Sequence, residues 1–129
     1  TPGFESGFHV NMEGDKAAVR DGSVFEYCKL NDMVIQAWSV LQFGYFKGNF
    51  VGKEQFHDLN EVLNRLALKY GVSPSAIAIA WVLRYPAKMQ AVVGTTNPKH
   101  LIEASQASNL TLTRKEWYEI YLAAGNDLP

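Results

Sequence analysis

Residues 91–103, AVVGTTNPKHLIE, bring together the side chains best suited to hold an anion. A short apolar run stops at Gly94, and Thr95, Thr96 and Asn97 follow with hydroxyl and amide groups. Asn97 suits an N-cap and Pro98 the first position of a helix, since proline lacks the N–H that a helix start leaves unpaired. A strand passing through glycine into a helix N-terminus presents free N–H groups and the positive end of the helix dipole to one spot. Lys99 and His100 can add positive charge. That chemistry is phosphate binding. The same pattern also serves as an ordinary strand–turn–helix connection, and on this segment alone the plainer reading is the commoner one.

Other chemistries find little support. The histidines at 9, 57 and 100 are far apart, with neither an H-E-x-x-H pattern nor a cysteine spacing, so no metal site is expected. His9 has no acid or nucleophile at a motif spacing. Cys28 is the single cysteine, so no internal disulfide can form, and it reads as a small packing residue within a helical pattern. Lys and Arg number 12 against 13 Asp and Glu, giving a net charge of −1 and no basic footprint for nucleic acid or a membrane surface. Hydrophobic residues make up 47% of the 129, enough for one domain with a real core. No apolar run approaches the roughly 20 residues of a membrane span. The chain opens on TPGFESG, without a methionine or a signal pattern. A cytoplasmic protein, or a piece of one, is the expectation.

The elements that must position the 91–103 segment can be read from periodicity. Residues 1–21, with Pro2, Gly3, Gly7 and Gly14, read as loop. Ser23-x-x-Glu26 is a capping-box pattern that predicts a helix over 24–31, with Val24, Tyr27, Cys28 and Leu30 on one face. VIQAWS at 34–39 reads as a buried parallel strand. The glycine-spaced, aromatic VLQFGYFKGNFVG can wall in a ligand, or its rings can pack down on the domain. Over 54–70, Phe56, Leu59, Val62, Leu63, Leu66, Ala67 and Tyr70 recur at three and four, and Gly71 is placed to end that helix. Ser73-Pro74 starts an alanine-rich helix over 74–84, apolar around most of its circumference. A strand over 90–93 leads into the candidate turn and a helix over 98–107. Residues 109–112 read as a short extended piece, and Thr113-x-x-Glu116 caps a last helix with Trp117, Ile120, Tyr121 and Ala124 on one face. Strands alternating with helices imply a parallel sheet, yet only two strands are convincing, so the sheet is incomplete.

Four blocks in this order, QAWSVLQFG, KYGVSPSAIAIAWVLRYP, VVGTTNPKHLIEA and LTLTRKEWYEIYLAAG, resemble the C-terminal part of the aldo/keto reductase family. The resemblance implies an α/β fold, the C-terminal portion of a (β/α)8 TIM barrel, incomplete here because such a barrel needs about 250 residues. Residues 1–129 are then one incomplete domain, 1–21 loop and 22–129 helix and strand units. They begin after strand five and carry strands six and seven with a remnant of strand eight. The implied activity is reduction of aldehydes or ketones to alcohols by NADPH, with NADH as the other candidate.

The resemblance assigns cofactor contacts residue by residue. Trp38 falls where the family sets an aromatic ring against the nicotinamide. Ser39, Leu41 and Gly44 match the segment around the pyrophosphate. Gly94, Thr95, Thr96 and Asn97 match the turn that holds the phosphate of the adenosine half. His100 stands where arginine is frequent, and Glu103 where a carboxylate meets the adenine. The chain departs from the pattern at Val40, where proline is usual, at Gly94 and His100, where lysine and arginine clamp a 2′-phosphate, and at Ala104, where asparagine is frequent. The family's catalytic tyrosine, aspartate, lysine and histidine precede strand five, so no catalytic residue is expected here. A second expectation, of another class, is a non-catalytic partial barrel acting as a binding module. Its open strand edges favour self-association.

Overall fold

The computed structural model describes residues 23–43 and 48–126. The expected loop over 1–21 lies outside them, as do Gly44, Tyr45 and Phe46. Five helices and two strands follow in the order α1 (Ser23–Leu30), β1 (Ile35–Trp38), α2 (His57–Tyr70), α3 (Pro74–Leu83), β2 (Met89–Val92), α4 (Pro98–Ser105) and α5 (Arg114–Ala123). Short 3-10 turns precede α2 and follow α4. The two strands pair in parallel, with Ile35 opposite Met89 and Trp38 opposite Val92. Two parallel strands joined through two helices are a crossover unit of the α/β kind, as expected for part of a barrel.

α3 is the centre of the core. Six consecutive residues, Ala76 to Trp81, are buried, because α2, α4, the turn after α4 and β2 all pack on it. Its sequence, apolar on every side, is therefore used on every side. The α2 stripe is also borne out: Leu59, Leu63, Leu66 and Ala67 are buried, and Phe56, Val62 and Tyr70 pack at the margin. Gly71 ends α2 in the left-handed region at φ 66°, where a side chain is strained.

Three local caps form as their residue types demand. Ser73 accepts the Ala76 N–H, Asn97 accepts the Lys99 N–H, and Thr113 with Glu116 closes a full capping box.

One expectation is corrected. In α1 the buried residue is Phe25, whose ring meets Tyr85 at 4.8 Å, whereas Tyr27 and Leu30 are exposed. Among the described residues, the short helix meets the turn before β2 through Phe25, and that contact, not the widest apolar face, turns Phe25 inward. The short extended piece expected over 109–112 is present from Leu110 onward, while Asn109 closes the 3-10 turn, and the piece joins neither strand of the sheet. Leu112 is instead buried against the helices, where its carbonyl accepts a hydrogen bond from Arg84 Nε at 3.1 Å.

Candidate functional site

The register of the sheet decides what can meet. Trp38 and Val92 are paired neighbours at the carboxyl ends of the two strands, so the chain leaves the sheet at the same end after each. Ser39–Leu41 departs from one strand end and Val93–Asn97 from the other. In parallel sheets this is the end at which ligands are held. The side-by-side Gln36 and Gln90 join through a 3.1 Å amide hydrogen bond on the exposed face, the face that also carries Trp38 and Val92. Trp38 is 55% exposed, and Val92 and Val93 lie open beside it.

Ser39 takes a left-handed backbone conformation with φ 55°, uncommon for a residue with a side chain. It turns the chain sharply off β1, and its carbonyl accepts the Gln42 N–H at 2.9 Å. Leu41 is half-buried against the core, and its carbonyl accepts the Phe50 N–H. Phe43 and Phe50 both pack their rings on Phe56, so for these aromatics packing down onto the domain is the reading the structure supports. Gly44 lies outside the described residues.

After β2, Gly94 stands in open space: a side chain added there meets nothing within 4 Å. Thr95 Oγ1 accepts the Asn97 N–H, and Asn97 Oδ1 accepts that of Lys99. Pro98 has no N–H, and the Leu101 N–H goes to the Asn97 carbonyl. The His100 amide is thus the first N–H of α4 that the cap does not take. The two threonine hydroxyls, the His100 amide and the open space at Gly94 are donor chemistry that suits an anionic phosphate. His100 is exposed on α4, and Glu103, one turn on, is half-buried with Lys99 Nζ 3.9 Å from its carboxylate. Lys99 therefore leans toward Glu103.

One constellation elsewhere joins tyrosine, lysine and carboxylate, and it is built for structure. Glu116, 6% exposed, accepts hydrogen bonds from Lys69 Nζ, from the Tyr70 hydroxyl at 2.7 Å and from the Thr113 N–H at 2.8 Å. Burial pushes its carboxyl up, but those three donors outweigh burial and hold it at about 2. In return, the Glu116 hydrogen bond raises the pKa of both Lys69 and Tyr70. A tyrosine held more firmly protonated is the opposite of an activated proton donor.

No group of three or more potential metal ligands occurs among the described residues. No single helix there is long and apolar enough to cross a membrane.

Two features escaped the sequence reading: the buried amide of Asn60 and the pairing of Trp81 with Trp117. Asn60 is buried at the end of the glycine-spaced loop, and its signal was an amide inside the apolar stripe of α2. Trp81 and Trp117 stack at 4.8 Å and each indole N–H donates to the other's carbonyl at 3.0 Å. Nothing local in the sequence pairs residues 36 positions apart.

The Aldo/keto reductase family model matches residues 16–123. A 6-dehydroglucose reductase of Agrobacterium fabrum (strain C58) is 38% identical over 94 residues, covering 71% of this chain and 30% of that protein. Oxidoreductase YdhF of Escherichia coli (strain K12) is 30% identical over 95 residues, covering 72% and 30%. The chain thus spans about a third of the length of the curated relatives it matches. Among solved structures, the thermostable aldo-keto reductase Tm1743 overlays with a TM-score of 0.59 at 22% identity, covering 81% of this chain and 33% of that one. That overlay carries the barrel fold, and with the match over 16–123 the conclusion is plain: the chain belongs to the aldo/keto reductase family.

Proposed function

We propose that this chain supplies the dinucleotide-phosphate cradle of an NAD(P)H-dependent carbonyl reductase. The observation that carries this reading is the parallel register that brings Trp38 beside Val92. It sends Ser39–Leu41 and Gly94–Asn97 away from one end of the sheet, with the α4 N-terminus behind the second segment. In this reading Gly94, Thr95, Thr96 and the α4 amides receive phosphate, Trp38 offers its open face to the nicotinamide, and Ser39, Leu41 and Gly44 follow the pyrophosphate. Glu103 faces the adenine, with His100 beside the ribose. The bound dinucleotide supplies the hydride; the chain's own residues bind and orient it. NADP(H) is the cofactor proposed, with NAD(H) the alternative, because the charge near the ribose rests on Lys99 and His100 alone and Lys99 leans on Glu103. The substrate is a small carbonyl compound, in line with the relatives named as 6-dehydroglucose reductases.

No tyrosine among the described residues is placed as an activated proton donor, so we expect the 129 residues to bind dinucleotide without turning over a carbonyl. Titration of the chain with NADPH and NADH, followed by quenching of tryptophan fluorescence, tests the first part. An aldehyde-reduction assay tests the second. Saturable binding with no NADPH consumption is the expected result; no binding to either dinucleotide removes the cradle, and measurable aldehyde reduction removes the claim of inactivity.

A second reading rests on the same sheet. Both edges of β1–β2 lack a neighbouring strand among the described residues, and Trp38, Val92 and Val93 lie exposed there. An isolated chain with these edges acts as a pairing surface rather than an enzyme.

A further inference from the structure

We propose that Asn60 is a positioning residue for the dinucleotide: it holds the loop after β1 in the shape that presents Leu41. The proposal rests on the reading of the site given above. Asn60 is 7% exposed and sits in the apolar stripe of α2, where an unpaired amide is costly. Its carboxamide is satisfied wholly by loop backbone. Oδ1 accepts the Gly52 N–H at 2.7 Å, and Nδ2 donates to the carbonyls of Phe50, Lys53 and Phe56 at 3.0–3.1 Å, three acceptors sharing two hydrogens. One N–H on one side and three carbonyls on the other allow a single orientation of the amide.

The hydrogen bonds continue from this hub toward the site. Asn60 holds the Phe50 carbonyl, and the Phe50 N–H donates to the Leu41 carbonyl at 3.0 Å. Gln42 and Asn49 bridge antiparallel beside that bond, and the Phe43 N–H reaches the Gly48 carbonyl. Residues 41–43 are therefore pinned to 48–50, and 50–53 to Asn60. Gly48 and Gly52 take φ of 96° and 80°, the two places where this return path needs glycine. Among the described residues, the amide of Asn60 is the hydrogen-bonded link between α2 and the segment leaving β1, beside the ring contacts of Phe43 and Phe50 with Phe56.

Asn60→Ala and Asn60→Asp in the 129-residue chain test the link. Aspartate keeps the size and the acceptor for Gly52 but turns an oxygen toward three carbonyls. Both variants are expected to bind NADPH about tenfold more weakly, or NADH if wild type prefers it. Amides of residues 41–43 and 48–52 should exchange faster with solvent, while the tryptophan near-ultraviolet circular dichroism stays unchanged. If these variants fail to fold, Gly52→Ala serves instead. It meets no atom within 4 Å but strains the N–H that Asn60 accepts, and the same weakening is expected. Unaltered loop exchange overturns the proposal at its first step, and faster exchange with wild-type affinity overturns it at its second. Absence of dinucleotide binding by the wild-type chain overturns the site reading and this role together, and is seen before any substitution is made.

Discussion

Glu116 shows how a single side chain can be read twice. As the fourth residue of T-x-x-E it is a capping-box glutamate, and the structure confirms that role through the Thr113 N–H. Its carboxylate also faces Lys69 and Tyr70 of α2, which no local pattern shows. With its pKa held at about 2 against an ordinary 4.5, the folded state binds this proton more weakly than the unfolded chain. The resulting stability is fully present above about pH 4.5 and is lost as pH falls toward 2. Because Lys69 is half-exposed, about 2 kcal/mol is a fair size for the effect. Glu116→Gln should therefore be less stable than wild type at pH 7, and its melting temperature should fall less between pH 5 and pH 2.5. Parallel curves for the two proteins across that range would contradict the assignment. Asn60 makes the complementary case: it is legible only as an amide in an apolar stripe, and its partners follow from how the loop folds back.

The helices divide into ends set locally and contacts set by packing. Ser73, Asn97 and Thr113 cap their helices through hydrogen bonds spanning two or three residues, so their spacing in the sequence was enough to place them. The last turn of α3 is different. The Tyr85 N–H goes to the Val82 carbonyl, and the Trp81 carbonyl, in the last turn, takes a hydrogen bond from outside the helix. The Trp117 indole N–H of α5 supplies the donor, and the side chain of Arg84, the residue that closes α3, donates to the Leu112 carbonyl just before α5. α5 is thus fastened to α3 by polar groups as well as by stacked rings. Trp117→Phe keeps a ring and removes the donor, so it should cost about 1–2 kcal/mol. Chemical denaturation should show this as a lower midpoint. In a cycle with Trp81→Phe, the double variant should cost less than the two single costs combined, since the bonds join the same pair. Additive costs would mean that the two indoles act independently.

At the scale of the molecule, the two strands and five helices of the described residues make a barrel segment with apolar surface left over. Trp38, Val92 and Val93 at the sheet end and Leu101 and Ile102 on α4 are all exposed. The chain covers 33% of the Tm1743 structure it overlays, and among the described residues the sheet face that carries Trp38 is exposed. An isolated 129-residue chain is expected to self-associate through these edges as concentration rises. Light scattering over a hundredfold concentration range checks this, and a constant monomer mass at the top of the range would show that the edges are protected. Adding NADPH in the same experiment separates a cradle, which changes fluorescence without changing mass, from a pairing surface, which changes mass alone.

By itself the sequence determined the features that depend on neighbours within one turn: the three caps, the buried stripe of α2, the all-round apolar α3, and the GTTN turn that opens α4. It also determined the family, because four blocks in order leave little freedom. The tertiary structure alone decided that Trp38 pairs with Val92, that α1 turns Phe25 inward, that residues 109–112 stay outside the sheet, and that Asn60, Glu116 and the two tryptophans find partners across the fold. The physical reason is range. A cap needs only the next few residues, whereas a strand register or a buried polar group is satisfied by atoms that folding brings near from elsewhere in the chain.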